Sequence, residues 1–261
     1  MVKILIVEGN TSEIILKNRK AGNKLAWERY RDALSLHEPE AEFLVTMPYA
    51  ADLMVAPVGH DDIDAIALTG SGVMWSANDA EAIPYLEYLG KLVETGKPII
   101  GSCWGMQTMV QLMGGIALPN SKGAEIGFAE DISLTEAGRS HWIFDGMPDQ
   151  FHSPCIHRDH VVELPDCFDL LASNMVSHVQ AVACHNSELD FVGFQFHPEF
   201  DLDYAKALFE DSTVFVGAKK TIKSFPEDLP DSVTDEMKRT KVFGNWLQYV
   251  KGLSVRESAA A

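Results

Sequence analysis

Two short segments of the chain contain residue types that could perform nucleophilic catalysis. Residues 101–105 read GSCWG, with Cys103 between two glycines directly after an apolar run. Residues 195–199 read QFHPE, where a second apolar run leads to His197 and Glu199 follows two positions later. A thiol becomes a strong nucleophile when a base takes its proton, and a carboxylate that holds the base completes a triad. The two segments predict Cys103 as nucleophile, His197 as base and Glu199 as the acid that orients the base.

Each segment also allows a structural interpretation. Free cysteine is among the most buried residue types, so Cys103 alone would be read as a core side chain. His197 could simply end a strand, and Glu199 could be the first acid of a helix, where the helix dipole favours it. Neither structural interpretation explains the other segment, and the joint occurrence of both segments favours catalysis.

The sequence around Cys103 suits a strand that turns abruptly into a helix. Such a turn lifts one side chain above the sheet at the carboxyl ends of the strands, where open α/β folds bind ligands. The thiolate would lie beside the positive end of the new helix, and the backbone N–H of Trp104 would point towards an oxyanion. Side chains at positions 101 and 105 would crowd the crossing, which explains the two glycines.

The first hundred residues supply the elements that such a turn needs. Runs of Ile, Val and Leu without alternation predict strands covered on both faces: 2–7, 43–47, 65–70 and 97–102. The polar stretch after residue 7 predicts a loop, and amphipathic stretches predict helices over about 20–36 and 79–95. Strand and helix in succession predict a parallel, doubly wound sheet.

Beyond the helix that follows Cys103, the pattern changes. Strand-like segments follow one another without long helices, as in an antiparallel extension of the sheet: 125–134, 168–173, 179–184 and 191–197. From about residue 201 the composition is helical again, interrupted at Pro226 and Pro230. We therefore expect a catalytic domain over residues 1–210 and a helical C-terminal extension over 211–261, packed on the same domain.

The segments GSCWGMQ and QFHPE together resemble the class I glutamine amidotransferase family, whose members carry Gly-x-Cys-x-Gly and His-Pro-Glu in this order. The resemblance covers roughly the first 200 residues. It implies a flavodoxin-like α/β fold with a mostly parallel central sheet and helices on both faces, to which this chain adds a helical C-terminal appendage. It also implies the triad of Cys103, His197 and Glu199.

The resemblance assigns an oxyanion hole. The TGSG segment at 69–72 matches the glycine-rich loop of the family, which implies that Gly70 or Ser71 donates a second N–H beside that of Trp104. The family commonly has proline where this chain has Gly72. Because glycine gives the loop more conformational freedom than proline, Val73, Met74 and Trp75 could form a wall for an apolar leaving group.

The resemblance also implies residues that contact the substrate. The segment HRDHVVELP at 157–165 looks like the family's His-x-Asp-x-Val segment, whose backbone helps hold the glutamine. This implies substrate contacts at His157, Arg158 and Asp159. Gln107 matches a position that contacts the bound glutamine in several members.

Two other groups of side chains allow more than one interpretation. The spacing of His152, Cys155, His157 and His160 could supply zinc ligands, but the segment already matches the substrate loop, so we expect no metal. Glu125 could bind the α-amino group of the substrate. As a lone acid beside a strand, it is more often an exposed residue.

The charge and the cysteine content limit which partners and which cellular compartment we expect for this protein. Asp plus Glu number 38 against 21 for Lys plus Arg, and the net charge of −17 repels nucleic acid and anionic bilayers. No apolar run reaches the length of a membrane span, and the N-terminus lacks the pattern of a signal peptide. Four cysteines without regular spacing suit a reducing cytoplasm better than a disulfide scaffold. A homo-oligomer is left open.

The chemistry implied is hydrolysis of a γ-glutamyl amide through a γ-glutamyl thioester on Cys103, without metal or organic cofactor. Two versions compete: a glutaminase subunit that supplies ammonia to a separate synthetase, and a free-standing hydrolase of N-substituted γ-glutamyl amides. The chain ends about 60 residues past His-Pro-Glu without a synthetase domain, like a standalone branch of the family, and this favours the hydrolase. The alternatives from other classes are a non-catalytic relative and a cysteine α/β-hydrolase. In the α/β-hydrolase the acid would precede the histidine, whereas Glu199 follows His197.

Overall fold

Apolar runs of Ile, Val and Leu form the centre of the fold, a nine-stranded sheet. A computed structural model describes residues 1–54, 59, 62–211, 213–215 and 219–260, with only the backbone for 254–260. The strands are β1 (Lys3–Val7), β2 (Glu42–Thr46), β3 (Ala65–Leu68), β4 (Ile99–Ser102), β5 (Ile116–Pro119), β6 (Glu125–Leu134), β7 (Gln150–His157), β8 (Asp159–Glu163), β9 (Asp169–Ser173), β10 (Ala181–His185) and β11 (Asp190–Phe194).

The sheet has a parallel half and an antiparallel half. Its strand order is β2-β1-β3-β4-β11-β10-β9-β6-β7, and β5 pairs with β8 in a separate two-stranded sheet. The first five strands of that order are mutually parallel, and the pairs from β11 to β7 are antiparallel. The antiparallel extension predicted from the sequence is confirmed.

Helices cover both faces of the sheet. They are α1 (Ser12–Lys20), α2 (Ala26–Ser35), α3 (Ile83–Val93), α4 (Trp104–Leu112), α5 (Glu136–Ser140), α6 (Leu202–Glu210), α7 (Asp231–Thr234), α8 (Glu236–Arg239) and α9 (Lys241–Ala260). One core cluster joins α2 and α9 to one face, and a second joins α3 and α4 to the other. Alternate residues of β1 enter the two clusters, with Ile4 and Ile6 in the first and Leu5 and Val7 in the second. The predicted α/β fold with a covered sheet is confirmed.

The sequence-based prediction fails where caps or edge positions decide the structure. Residues 12–20 form α1 instead of the predicted loop, although only Ile15 of this helix is buried. The side chain of Thr11 caps the first turn, and the basic residues at 17, 19 and 20 suit the negative end of the helix dipole. The helix predicted from about residue 20 begins only at Ala26.

Three strands are absent from the sequence-based prediction: β5, β7 and β8. β7 contains Pro154, which argues against a central strand, but β7 lies at the edge of the sheet, where a missing N–H is tolerated. The carbonyl of Pro154 accepts a hydrogen bond from the backbone N–H of His197, at 2.8 Å. This edge strand therefore helps to position the candidate base.

The C-terminal segment packs its last helix against the sheet. Five residues of α9 belong to the core cluster that contains Tyr30: Val242, Phe243, Trp246, Leu247 and Val250. The ring of Phe243 lies 5.2 Å from that of Tyr30. α9 agrees with the helical composition predicted for the end of the chain, and it packs against α2.

The close crossing of α4 over the sheet generates a stability prediction. A Cβ atom on Gly105 would lie 2.6 Å from Cβ and 2.8 Å from the carbonyl oxygen of Leu68 in β3. We expect Gly105→Ala to lower the free energy of unfolding by about 1–3 kcal/mol, as for other overpacked sites, measured by urea denaturation.

Gly90 in α3 provides the matched control for Gly105. A Cβ atom at Gly90 meets nothing within 4 Å, so Gly90→Ala should stabilise the protein by roughly 0.5–1 kcal/mol through helix propensity alone. If Gly105→Ala were as stable as Gly90→Ala, the close contact between α4 and β3 would be wrong.

Candidate active site

Cys103 lies in a strained turn between β4 and α4. Its backbone adopts φ 49° and ψ −104°, a conformation that L-residues rarely occupy, and its N–H donates to the carbonyl of Phe194 at 2.6 Å. A Cβ on Gly101 would lie 3.0 Å from the carbonyl carbon of Gly105, so the two flanking glycines let the chain cross itself, as predicted. The thiol is mostly buried, and its sulfur lies 3.5 Å from the carbonyl oxygen of Ile156.

The structure places His197 and Glu199 beside this turn. Nδ1 of His197 donates to Oε1 of Glu199 at 2.6 Å, and both side chains are buried. The imidazole stacks on the ring of Phe200 with 4.0 Å between centroids and 7° between planes. The acid therefore fixes the tautomer of the base, and the aromatic ring fixes its plane.

His197 lies close enough to Cys103 for the cysteine to affect its pKa. Nε2 is buried and makes no geometrically acceptable hydrogen bond among the described residues. Burial lowers the pKa of His197, but Glu199 and Cys103 raise it more, to about 10. The raised pKa keeps a proton on the imidazole, which His197 can give to a leaving group.

The glycine-rich loop after β3 packs directly against the imidazole. A Cβ on Gly70 would lie 2.5 Å from Cε1 of His197. The amide of Gly72 donates to Oδ1 of Asn10 at 2.7 Å, and that of Val73 donates to Oγ of Ser71 at 3.3 Å. Since these two amides are engaged, Gly70 and Ser71 supply the candidate oxyanion donors in this loop.

Trp104 supplies the other predicted donor. It is the first residue of α4, where a backbone N–H has no acceptor within the helix. Ser71 and Trp104 line the same cavity as Cys103, and Gly70 lies against the imidazole of His197, while the roles of all three in holding an oxyanion stay a prediction.

Glu8 and Asn10 hold the glycine-rich loop and are absent from the sequence-based prediction. Glu8 is fully buried at the end of β1, and its carboxyl accepts hydrogen bonds from the amide and side chain of Asn10 and from the amide of Trp27. Burial raises the pKa of Glu8 by more than the hydrogen bonds from these donors lower it. The signal in the sequence is an acid placed directly after an apolar strand, where a solvent-exposed turn would be the usual reading.

A small cavity opens above Cys103. It holds about 320 Å³ of empty space, part of it open to solvent. Its lining consists of Ser71, Val73, Trp75, Cys103, Trp104, Gln107, His157, Arg158, Asp159 and Phe215. All four predicted substrate contacts lie in this lining. Met74 is 56% exposed and is absent from it, so the predicted wall of Val73, Met74 and Trp75 is wrong for Met74.

Gln107 and Asp159 are joined beneath the cavity. Nε2 of Gln107 donates to the carbonyl of Asp159 at 2.9 Å and to Oε1 of Gln195 at 3.1 Å. The amide nitrogen is therefore used inside the protein, and the side-chain oxygen of Gln107 is the atom that could accept a hydrogen bond from a substrate.

Arg158 and Asp159 join the substrate segment to the glycine-rich loop. Nε of Arg158 donates to Asp159 at 2.6 Å, and its Nη1 donates to the carbonyl of Met74 at 2.9 Å. The hydroxyl of Ser76 donates to the carboxylate of Asp159. These contacts fix two walls of the cavity relative to each other.

The sequence-based interpretation of Glu125 as exposed is wrong. Glu125 is 1% exposed, because it accepts hydrogen bonds from Nε2 of His157 at 2.8 Å, from Asn174 at 2.7 Å and from Gln180 at 2.8 Å. Burial disfavours its charge, yet His157 and the amide donors lower the pKa of Glu125. Its carboxylate is used to hold His157, and Asn174 and Gln180 were not recognised from the sequence.

The zinc ligands considered from sequence spacing are not brought together as a set. His152 and Cys155 are an odd number of residues apart in β7 and point to opposite faces, and the ring of His152 accepts from the amide of Asp131. Ligand atoms of Glu125, Cys155 and His157 do lie within 4.8 Å of one another. Both ring nitrogens of His157 face oxygen acceptors, Glu125 and the carbonyl of Asp159, so the ring offers no lone pair to an ion.

Contact between Gly70 and His197 generates a test of the site geometry. We expect Gly70→Ala to displace the imidazole and slow alkylation of Cys103 by iodoacetamide at neutral pH by about 10- to 100-fold, since misplacements of about 1 Å have effects of this size. Gly72→Ala is the control in the same loop, because its Cβ would have 3.5 Å to the nearest atom. Cys103→Ser gives the background from the other thiols. Equal rates in the two alanine variants would contradict the placement of His197.

Relatives of this chain include hydrolases and synthetases. The family model for glutamine amidotransferase class-I matches residues 47–214. A gamma-glutamyl-L-1-hydroxyisopropylamide hydrolase from Pseudomonas sp. is 28% identical over 81% of this chain and 75% of its own length. A glutamine-hydrolyzing GMP synthase from Syntrophomonas wolfei is 36% identical over 52% of this chain, but the match spans only 24% of that synthase.

Solved structures show the same fold. A glutamine amidotransferase from Thermotoga maritima has a TM-score of 0.63 at 18% identity, covering 95% of this chain and 97% of its own. A glutamine amidotransferase from Methylobacillus flagellatus has a TM-score of 0.66 at 18% identity, covering 95% of both chains. In the described part of this chain, no helix is both long and apolar enough to cross a bilayer. The match of the family model across the residues that carry this site shows that the chain belongs to the class-I glutamine amidotransferase family.

Proposed function

We propose that this protein hydrolyses N-substituted γ-glutamyl amides through a γ-glutamyl thioester on Cys103, releasing glutamate and an amine. The observation that carries the proposal is the strained turn that holds Cys103 beside a His197–Glu199 pair. Strain of this kind is stored at functional sites, and a structural cysteine would have no need of it. This argues against a non-catalytic relative, and membership of the amidotransferase family rules out the α/β-hydrolase alternative.

The acylation step follows from the arrangement of the thiol and the base. The thiolate of Cys103 attacks the γ-carbonyl carbon, and the carbonyl oxygen becomes an oxyanion that the amides of Trp104 and of Gly70 or Ser71 hold. As the C–N bond breaks, His197 gives its proton to the leaving nitrogen, which departs as an amine. The γ-glutamyl group is then bound to sulfur as a thioester.

In the deacylation step, His197 acts as a base instead of an acid. His197, now neutral, takes a proton from water, and the hydroxide attacks the thioester carbonyl. The C–S bond breaks, glutamate leaves, and the thiolate and imidazolium of the resting site are restored. Glu199 stays ionised throughout and keeps Nε2 of His197 directed at the reacting atoms. No step requires a metal or an organic cofactor.

Polar side chains in the cavity suit the glutamyl half of such a substrate. The guanidinium of Arg158, which pairs with Asp159, and the ring of His157, which is hydrogen-bonded to Glu125, both lie in the lining. We propose that the guanidinium of Arg158 also binds the α-carboxylate of the substrate. The side-chain oxygen of Gln107 can accept from the α-amino group.

Part of the cavity lining is apolar, which suits a substituent on the leaving nitrogen. Val73, Trp75 and Phe215 contribute apolar surface to the lining, and Phe215 lies just beyond the segment matched by the family model. The relative from Pseudomonas, whose name gives a hydroxyisopropyl amide as substrate, aligns with four-fifths of this chain. Both observations support an amine with a small, partly apolar substituent.

A glutaminase subunit that supplies ammonia to a separate synthetase is the second candidate. The identity of 36% to a GMP synthase favours it, because in that protein the aligned segment is a minor part of a glutamine-hydrolysing synthetase. Such a subunit would bind a primary amide closely and would depend on its partner.

We further propose that the protein works in the cytoplasm and that residues 211–261 form an extension of the catalytic domain. All four thiols are free in the structure, which suits a reducing compartment for a thiol nucleophile. The packing of α9 on the main core supports treating the extension as part of one domain.

The two candidates are separated by a substrate panel. We expect the isolated protein to cleave at least one N-alkyl γ-glutamyl amide with a kcat/KM no lower than that for glutamine, since each buried methylene contributes roughly 0.8 kcal/mol. Product release is followed by mass spectrometry of the amine and of glutamate. Cys103→Ser should abolish all turnover, because a hydroxyl replaces the thiolate.

Phe215→Ala gives a sharper version of this test. It should lower the preference for the N-alkyl substrate over glutamine several-fold, by roughly 1 kcal/mol, while Met74→Ala, outside the lining, should leave the ratio unchanged. Cleavage of glutamine alone, or activity only after a synthetase is added, would replace the hydrolase proposal with the ammonia-supplying one.

A further inference from the structure

A chain of two buried hydroxyls outside the cavity lining reaches the triad at Glu199. Oε2 of Glu199, the oxygen not used by His197, accepts from the hydroxyl of Ser102 at 3.3 Å. That hydroxyl is in turn hydrogen-bonded to the phenol of Tyr30. Ser102 and Tyr30 are both fully buried, and neither lies in the lining of the cavity.

The direction of these hydrogen bonds follows from the protonation states. Ser102 has one proton, and an ionised carboxylate can only accept, so the serine hydroxyl donates to Glu199. Its oxygen is then the acceptor for Tyr30. Burial and the nearby charge of Glu199 raise the pKa of Tyr30 well above its usual value, so the phenol keeps its proton and donates. The chain therefore runs from Tyr30 to Ser102 to Glu199 to His197.

We propose that Ser102 and Tyr30 are positioning residues that hold the carboxylate of Glu199 in place against His197, and so keep the imidazole in register with Cys103. This rests on the proposed function for its catalytic consequence. A buried carboxylate is held in one orientation when each of its oxygens has a donor, and here the second donor comes from the residue directly before the nucleophile. The strained turn at Cys103 and the orientation of the acid are thereby set by the same few atoms at the end of β4.

Two other titratable groups that face Glu199 stay neutral near pH 7. They are Cys155 from β7 and Tyr204 from α6, and burial raises the pKa of both. Arg29 from α2 lies with its guanidinium 3.4 Å over the ring of Tyr204 and pairs with Asp201 at 3.1 Å. Because variants at Ser102 and Tyr30 keep all of these groups, differences between their alkylation profiles report on the two hydroxyls.

The test is the pH dependence of Cys103 alkylation by iodoacetamide in the full-length protein, with Cys103→Ser as background. Ser102→Ala should move the acidic midpoint of the rate upward by about one to two pH units, since losing a hydrogen bond to a charged group changes an ionisation equilibrium about 10- to 100-fold. Tyr30→Phe should move it in the same direction by less, because Ser102 still donates. On an active substrate, kcat should fall and KM should stay the same.

Two further variants keep the test decisive. Tyr85→Phe is the control, because the phenol of Tyr85 is also buried but has no hydrogen-bond partner among the described residues. Its midpoint should equal that of the wild type.

Tyr30→Phe combined with Ser102→Ala removes both hydroxyls, so the phenol of Tyr30 is not left without a partner, and the double variant should match Ser102→Ala because Tyr30 acts through Ser102.

The possible results separate the two proposals. An unchanged acidic midpoint in Ser102→Ala and in the double variant overturns the positioning role, whatever the activity. A shifted midpoint together with no cleavage of any γ-glutamyl amide by the wild type leaves the positioning role in place and rejects the proposed function. Should Ser102→Ala fail to fold, the double variant and Tyr30→Phe decide by the same midpoint.

Discussion

The site depends on one backbone constraint, the positive φ of Cys103. An L-residue at φ 49° costs energy, and the cost is tolerated only because neighbouring elements fix the chain on both sides. The amide of Cys103 is held by Phe194 of β11, and α4 begins at the next residue. The same strand β11 then leads, three residues later, to His197. Nucleophile and base are thus tied to each other through adjacent parallel strands rather than through a loop.

Because of that constraint, several segments around the site approach each other so closely that only glycine fits where they meet. The chain crosses itself at Gly101 and Gly105, and the loop with Gly70 lies against the imidazole, so each of these positions excludes a side chain for a steric reason that can be measured. Beneath the cavity, polar groups replace apolar packing. Glu125, His157, Gln107 and the carbonyl of Asp159 share hydrogen bonds that fix the cavity floor. Burial of so many polar groups is tolerable because nearly all of them have partners.

Much of this was predictable from the sequence where the signal was local. Uninterrupted apolar runs identified β1 to β4, and the spacing of glycines around Cys103 identified the turn, since both depend on neighbouring residues only. The antiparallel half was predicted in part. β6 was predicted over its observed range, whereas β7 was missed because it contains Pro154, and proline is unusual inside a strand. α1 was missed because its cap and terminal charges, and not an apolar stripe, define it.

Residues that act through tertiary contacts could not be found in this way. Glu8, Asn174 and Tyr30 are far from the motifs in the chain, and nothing in their local sequence distinguishes them from ordinary surface or core residues. Glu125 was noticed but placed at the surface, because only the fold brings His157, 32 positions away, to its carboxylate. Polar residues that are buried because distant residues bind them are therefore the part of the site that cannot be predicted from a single sequence.

The central claim is that Cys103 becomes covalently bound to the γ-glutamyl group during turnover. Rapid acid quenching of the protein with an N-alkyl γ-glutamyl amide, followed by digestion and peptide mass spectrometry, tests this directly. The account predicts a transient γ-glutamyl adduct on the peptide that contains Cys103, formed together with the first amine released. Turnover without an adduct at Cys103, or an adduct on Cys155, Cys167 or Cys184 instead, would contradict it.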